Sequence, residues 1–183
     1  MKLCDHHLHS GFSDDSETGL TDIAEQAIHL GMSEICITDH HDIDYPKDEE
    51  GHTFLLDTDR YISAVRKLQE QYKDKLTIHL GIELGLMSHI ADKIIAYTDK
   101  YHDFDFIIGS SHLVYGKDPS IPLTMKDVRK KKHYWNILNP FLQMCRPLII
   151  IPYMAIWTMP SVIVHPAKQP FAFLIMQMSL KLF

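Results

Sequence analysis

Strand-like and helix-like segments alternate along the first 115 residues, and this alternation constrains the fold more than any other feature. Short apolar runs typical of buried strands are separated by longer segments in which apolar residues recur at helical spacing. The predicted strands are 3–7, 34–38, 76–82 and 104–108, and the predicted helices are 20–30, 59–72 and 89–101. Such a rhythm predicts an α/β fold with a parallel sheet or barrel.

A side chain of a type that binds metal ions follows each predicted strand. His7 and His9 end the first strand, and their imidazoles would lie side by side because alternate residues of a strand point to one face. His40, Glu83 and His112 follow the next three strands. The carboxyl ends of parallel strands meet at one edge of a sheet, where functional groups gather. Four strand ends in agreement predict a metal site.

Charge and cysteine pattern narrow the class of protein. The formal net charge of −6 provides no overall basic surface for nucleic acid. Cys4, Cys36 and Cys145 form no CxxC pair, so we interpret them as reduced thiols. Residues 1–3 lead directly into the first strand without a secretory signal, and we therefore expect a cytoplasmic protein.

Several short motifs, in this order and spacing, resemble the PHP (polymerase and histidinol phosphatase) family of metal-dependent phosphoesterases. These motifs are His7-Leu8-His9-Ser10, Ser13-Asp14-Asp15, Thr38-Asp39-His40, Gly81-Ile82-Glu83 and Ser110-Ser111-His112. The stretches 12–16, 82–85 and 105–108 favour the histidinol-phosphate phosphatase branch of that family. The resemblance covers roughly residues 1–119.

The resemblance implies a distorted (β/α)7 barrel of TIM-like form with two or three divalent metal ions (Zn, Fe or Mn) at the strand ends. The implied ligands are His7, His9, Asp15, His40, Glu83 and His112. Asp14 is the alternative to Asp15, and Glu83 would bridge two ions through its two oxygens. Asp39 would hydrogen-bond to a metal-binding imidazole and so fix the orientation of its ring. His6 and His41 would take no part in the site.

The resemblance also implies an activity. A family member of this branch would be a phosphoric monoester hydrolase that converts L-histidinol phosphate to L-histidinol and phosphate in histidine biosynthesis. Metal ions would supply hydroxide by lowering the pKa of bound water, so no Ser or Cys nucleophile is needed. The expected partner is a small-molecule phosphate ester, with no nucleic acid. Two alternatives stay open: a PHP phosphoesterase acting on a nucleotide or DNA end, and a non-catalytic metal-binding or membrane-attached fragment.

The family pattern stops near residue 119. A Gly-His-x-Asp strand end, a later Asp-x-His pair and phosphate-clamping arginines are expected, and none is present in frame. We therefore divide the chain into residues 1–119, the N-terminal part of a PHP domain, and 120–183, a hydrophobic tail. The expected fold is an incomplete barrel with four family-like β/α units and an irregular tail, which puts the activity of the chain as written in doubt.

The genetic code suggests an origin for the tail. Codons read one nucleotide earlier across residues 153–160 permit Tyr-Gly-His-Leu-Asp-Tyr-Ala-Val, and the same shift across 124–146 permits an amphipathic helix. We hypothesise a frameshift between residues 118 and 124. A rival interpretation is a membrane anchor over the uncharged residues 148–164. It is disfavoured because a span needs roughly 20 residues and prolines interrupt helices.

Overall fold

The computed structural model describes residues 3–46, 51–110, 112 and 154–157. Helices and strands alternate along these residues, as the sequence predicts. The strands are β1 (Leu3–Leu8), β2 (Met32–Ile37), β3 (His40–His41), β4 (Thr77–Gly85), β5 (Phe106–Ser110) and β6 (Met154–Trp157). The helices are α1 (Leu20–His29), α2 (Thr58–Tyr72) and α3 (Ala91–Lys100), with a short 3-10 helix (Ser88–Ile90) before α3.

All of the strand pairs in the described part of the chain are parallel, which confirms the predicted α/β class. The sheet has the order β1-β2-β4-β5-β6, and β3 also pairs with β4. Glu83 of β4 lies opposite His40 of β3 and Ile108 of β5. The carboxyl ends of the strands therefore meet at one edge, and the metal-type residues that follow them are brought to that edge.

The helices cover one face of the sheet and form the core with it. Helix α2 begins after Asp57, whose carboxylate accepts a hydrogen bond from the backbone N–H of Arg60. This side-chain cap satisfies a donor that the first turn leaves unpaired. The residues of α2 that face the sheet recur every three or four positions and are buried: Tyr61, Val65, Leu68 and Tyr72. Helix α1 ends at His29, two residues before Gly31, which adopts a left-handed conformation with φ of 72°.

The two faces of the sheet differ in chemistry. Alternate residues of β2 and β4 enter the apolar core against the helices: Ile35, Ile37, Ile78, Leu80, Ile82 and Leu84. The residues between them, among them Glu34, Cys36, His79 and Glu83, point to the opposite face. This second face, which we call the polar face, carries the chemically active side chains of the sheet.

Strand β1 contains an irregularity that decides where its histidines point. Cys4 pairs with Glu34 and Asp5 with Ile35, but Leu8 pairs with Ile37, so three steps along β1 match two along β2. The extra residue lies between Asp5 and Leu8, as in a β-bulge. Both His6 and His7 can therefore reach carboxylates of the polar face, although they are neighbours in sequence.

Four residues of the tail that was expected to be irregular are described, and these four form a strand. Met154–Trp157 form β6, which pairs in parallel with β5 from Ile107 to Ser110. An apolar segment can add to the edge of β5 because that edge offers unpaired backbone N–H and C=O groups. The rest of residues 120–183, with the proposed frameshift and most of the 148–164 segment, lies outside the described residues. None of the described helices is long and apolar enough to span a bilayer.

Candidate metal centre

Glu83 stands at the centre of a cluster of histidines at the carboxyl edge of the sheet. Its carboxylate is 1% exposed. Glu83 Oε2 lies 2.8 Å from Nε2 of His7 and 2.9 Å from Nε2 of His9. Glu83 Oε1 lies 2.9 Å from Nε2 of His112. One buried carboxylate thus contacts the imidazoles that follow two different strands.

Asp15 and His40 complete the predicted set on the side of His9. Asp15 Oδ2 lies 2.9 Å from His9 Nδ1 and 3.4 Å from His40 Nε2. His40 Nδ1 lies 3.8 Å from Glu83 Oε2. All six side chains proposed from the sequence therefore meet in one cluster, which we call the Glu83 cluster.

Asp14, the alternative to Asp15, lies outside the cluster. Its Oδ2 accepts hydrogen bonds from the backbone N–H groups of Thr53 and Phe54, at 3.0 and 2.9 Å. The two neighbouring carboxylates thus make different contacts: Asp14 binds the backbone of the loop after residue 51, and Asp15 contacts the histidines.

Asp42 belongs to the cluster and was missed by the sequence analysis. It is 2% exposed, and its Oδ2 lies 2.5 Å from Nδ1 of His112. Its Oδ1 lies 3.9 Å from Nδ1 of His40. A Cβ atom placed on Gly85 would come within 2.5 Å of the Asp42 carboxylate, so glycine leaves the space that this side chain fills. The available signal was its position two residues after His40 at a strand end.

The resemblance implied that Asp39 would orient an imidazole, but the hydrogen bonds described for its carboxylate come from Ser10. Its carboxylate accepts hydrogen bonds from the backbone N–H of Ser10 at 2.6 Å and from the Ser10 hydroxyl at 2.7 Å. Burial of Asp39 raises the pKa of its carboxyl, while the bonds from Ser10 oppose that rise. Asp39 acts on the chain immediately after His9, so it fixes the backbone of the first motif instead of a ring.

His41 makes its contacts outside the Glu83 cluster, with Leu56 and Tyr97. Its Nδ1 accepts a hydrogen bond from the backbone N–H of Leu56 at 3.1 Å, and its ring stacks on Tyr97. Burial lowers the pKa of His41 to about 4, so its ring is neutral and can accept that bond. His6 also lies apart from the Glu83 cluster and contacts Glu34.

Contacts between histidines and carboxylates in the cluster stabilise the charged forms of both. Burial disfavours the charged form of His9, but hydrogen bonds to Asp15 and Glu83 outweigh it and raise the pKa of His9 to about 9. Burial acts likewise on His112, and its bonds to Asp42 and Glu83 raise its pKa to about 10. Although burial also opposes ionisation of Glu83, hydrogen bonds from its histidine partners hold its pKa well below the usual range.

The donor atoms fit divalent ions. Three overlapping sets of side chains bring their ligand atoms within 4.8 Å of one another: His7, His9 and Glu83; His9, Asp15 and His40; His40, Asp42 and His112. Moreover, His40 Nδ1 and Asp42 Oδ1 are buried without a hydrogen-bond partner among the described residues. Buried polar atoms without a partner are costly, and a bound cation would satisfy both of these. Imidazole and carboxylate donors are suited to zinc, iron and manganese.

A family model and several named proteins are similar to part of this chain. A family model described as the PHP domain matches residues 5–143, beyond residue 119, and the domain boundary stays a prediction. The histidinol-phosphatase of Lactococcus lactis is 38% identical over 112 residues, which are 61% of this chain and 40% of that protein. The histidinol-phosphatase of Bacillus subtilis is 28% identical over 109 residues, 55% of this chain and 40% of that protein. The chain spans about two fifths of the length of these relatives.

Solved structures share the fold. The crystal structure of histidinol phosphate phosphatase from Lactococcus lactis, complexed with zinc, L-histidinol and phosphate, aligns with a TM-score of 0.71 and 30% identity. That alignment covers 86% of this chain and 57% of the other. A putative histidinol phosphatase from Listeria monocytogenes aligns with a TM-score of 0.64 at 18% identity, over 84% of this chain and 65% of the other, and supports the fold alone. The family match over residues 5–143, more than half of the chain, shows that this protein belongs to the PHP domain family.

Proposed function

We propose that this chain carries the metal-binding half of a phosphomonoesterase that hydrolyses L-histidinol phosphate to L-histidinol and phosphate. The observation that carries the proposal is the Glu83 cluster, in which six predicted ligands meet at the carboxyl edge of a parallel sheet. The choice of substrate is supported by the relatives, since the Lactococcus lactis structure is complexed with zinc, L-histidinol and phosphate. The finer placement of the enzyme in the cytoplasm is supported by its three scattered cysteines, which form no CxxC motif.

The residues of the cluster have distinct tasks in this proposal. Divalent ions, zinc among them, would lower the pKa of water and neutralise the phosphate oxygens. His7, His9 and Glu83 would hold one ion, while His40, Asp42 and His112 would hold another. Glu83 contacts both His9 and His112, so it would link the two sets. Asp15 contacts His9 and His40 and would close the cluster on the third side.

Completeness of the site is a separate part of the proposal. The Gly-His-x-Asp and Asp-x-His motifs that the family resemblance implies are not present in frame after residue 119. We therefore expect low phosphatase activity from the chain as written. A gene in which the frame is restored between codons 118 and 124 should encode the missing ligands and give full activity.

The test compares metal content and phosphate release in matched variants. His9→Ala and Glu83→Ala remove central donors, whereas His102→Ala removes a histidine whose side chain is 80% exposed and lies outside the cluster. Metal content measured after reconstitution should fall in the first two variants and stay unchanged in the third. Equal metal content in all of them would contradict the site.

Substrate identity is tested on the frame-restored protein with the same reconstitution. Phosphate release from L-histidinol phosphate should exceed release from nucleoside monophosphates and from 3′-phosphorylated DNA ends. Preferential release from a nucleotide or a DNA end would favour the alternative phosphoesterase. Release from none of them, with metal bound, would favour a non-catalytic metal-binding protein.

A further inference from the structure

A second group of metal-type donors lies on the polar face of the sheet, away from the Glu83 cluster. Cys4, His6 and Glu34 bring one donor atom each within 4.8 Å of one another. His79 lies beside them, with its Nε2 3.9 Å from Glu34 Oε2. We call these four side chains the Cys4 cluster; none of them belongs to the sets around Glu83.

The backbone explains why these residues meet. Cys4 of β1 pairs with Glu34 of β2, so their side chains leave the sheet on the same face. His6 follows Cys4 by two residues and therefore shares that face, where its Nε2 lies 3.5 Å from Glu34 Oε1. His79 of β4 pairs with Cys36, two residues after Glu34, and therefore shares that face as well.

The separations suit ligands of one ion better than hydrogen bonds. Nitrogen–oxygen hydrogen bonds are typically about 2.7–3.2 Å long. Both contacts of Glu34, at 3.5 and 3.9 Å, are longer. Two ligands held tetrahedrally by zinc at about 2.1 Å are about 3.4 Å apart. The 3.5 Å contact between His6 and Glu34 is close to that spacing.

The Cys4 cluster differs from the Glu83 cluster in place and in chemistry. His79 precedes Glu83 by four residues of the same strand, which corresponds to roughly 13 Å. The Cys4 cluster contains a thiol, whereas the sets around Glu83 contain only imidazole and carboxylate. A thiolate donor shifts selectivity toward zinc and other soft ions. Half-exposed Glu34 and His79, at 31% and 35%, leave a path for an ion to enter.

We propose that Cys4, His6 and Glu34 bind one zinc ion, with His79 as the fourth ligand. The ion ties β1, β2 and β4 together on the polar face, and all four ligand positions come from three adjacent strands. A tetrahedral site with four protein ligands is closed to substrate, so this ion is structural and the chemistry stays with the Glu83 cluster.

Cobalt(II) distinguishes the two sites by spectroscopy. A cobalt–thiolate bond gives a charge-transfer absorption in the near ultraviolet, which imidazole and carboxylate ligands do not give. The chain is stripped of metal by a chelator and titrated with cobalt(II), with far-ultraviolet circular dichroism to check folding. The absorption should appear in the unaltered chain, disappear in Cys4→Ser and weaken in Glu34→Gln. It should persist in Cys145→Ser, and also in Glu83→Gln, in which only the visible cobalt bands should change.

Two results would overturn the proposal. One is survival of the near-ultraviolet absorption in Cys4→Ser. The other is its absence from the unaltered chain while visible bands show cobalt bound elsewhere. If Cys4→Ser fails to fold, the rate at which Cys4 is alkylated in the unaltered chain is measured instead. Zinc, but not magnesium, should slow alkylation of Cys4 roughly tenfold or more, since a thiolate bound to zinc is not free to react. An unchanged rate would refute the site.

Discussion

Tyr61 joins β2 to β4 shortly before the residues of the Glu83 cluster, and its hydroxyl can be removed without changing the ring. Its side chain is fully buried. The hydroxyl donates to the carbonyl oxygens of Ile37 in β2 and Gly81 in β4, each at 2.8 Å. A phenol has a single proton, so the two carbonyls share it. Residues 38–40 follow Ile37 directly, and Glu83 lies two residues after Gly81.

Tyr61→Phe should therefore lower the free energy of unfolding by about 1–3 kcal/mol. The net value of one buried hydrogen bond sets the lower end of that range. The upper end applies if the two carbonyls lose their partner without gaining water, since burial leaves them desolvated. The ring volume is conserved, so no cavity contributes.

Urea unfolding followed by circular dichroism measures the change, and Tyr72→Phe is the matched control. Tyr72 lies on the same helix and loses the same atom, but its hydroxyl donates to Glu25 at 3.2 Å at the margin of the core. The midpoint should fall clearly in Tyr61→Phe and much less in Tyr72→Phe, with equal slopes. Equal midpoints in the two variants would refute the claim that the shared hydrogen bond holds β2 to β4.

Three further changes test neighbouring parts of the structure. Gly81→Ala should destabilise the fold by about 1–3 kcal/mol in urea unfolding, because overpacking forces neighbours apart; its Cβ would lie 2.5 Å from the Cys36 sulfur and 2.9 Å from the Ile37 carbonyl oxygen. An unchanged urea midpoint would show that β2 shifts to accommodate the added methyl group without a loss of stability. Gly85→Ala should displace Asp42 and lower the metal content of the reconstituted chain while far-ultraviolet circular dichroism stays the same; unaltered metal content would remove Asp42 from the site. Removal of metal by a chelator should lower the thermal midpoint, because ions that bind the folded chain stabilise it; an unchanged midpoint would mean that no ion was bound.

The sequence was sufficient for residues whose position follows from the ends of regular strands. His7, His9 and Glu83 were predicted because a parallel sheet brings the carboxyl ends of its strands together. Their contacts at 2.8–2.9 Å agree with that reasoning. Asp15 required the family resemblance, since it lies in a turn where no periodicity indicates its direction.

The sequence was insufficient where a side chain depends on distant parts of the fold. Asp42 follows a strand of only two residues, too short to show a period, and its position depends on the space above Gly85. Asp39 contacts Ser10, which is 29 residues away in the chain. The bulge in β1 leaves no mark in the local pattern, because three polar residues in succession, Asp5-His6-His7, do not show which face each of them points to. Each of these features requires knowledge of the pairing between strands.

That bulge connects the two clusters. In a regular strand His6 and His7 would point to opposite faces, and one of them would enter the apolar core beside Ile35 and Ile37. An imidazole there would lose its hydrogen bonds to water, a cost that buried polar groups avoid only by pairing. The extra residue instead lets His6 contact Glu34 and His7 contact Glu83. The extra residue between Asp5 and Leu8 thus allows one short strand to supply donors to both clusters without placing an imidazole in the apolar core.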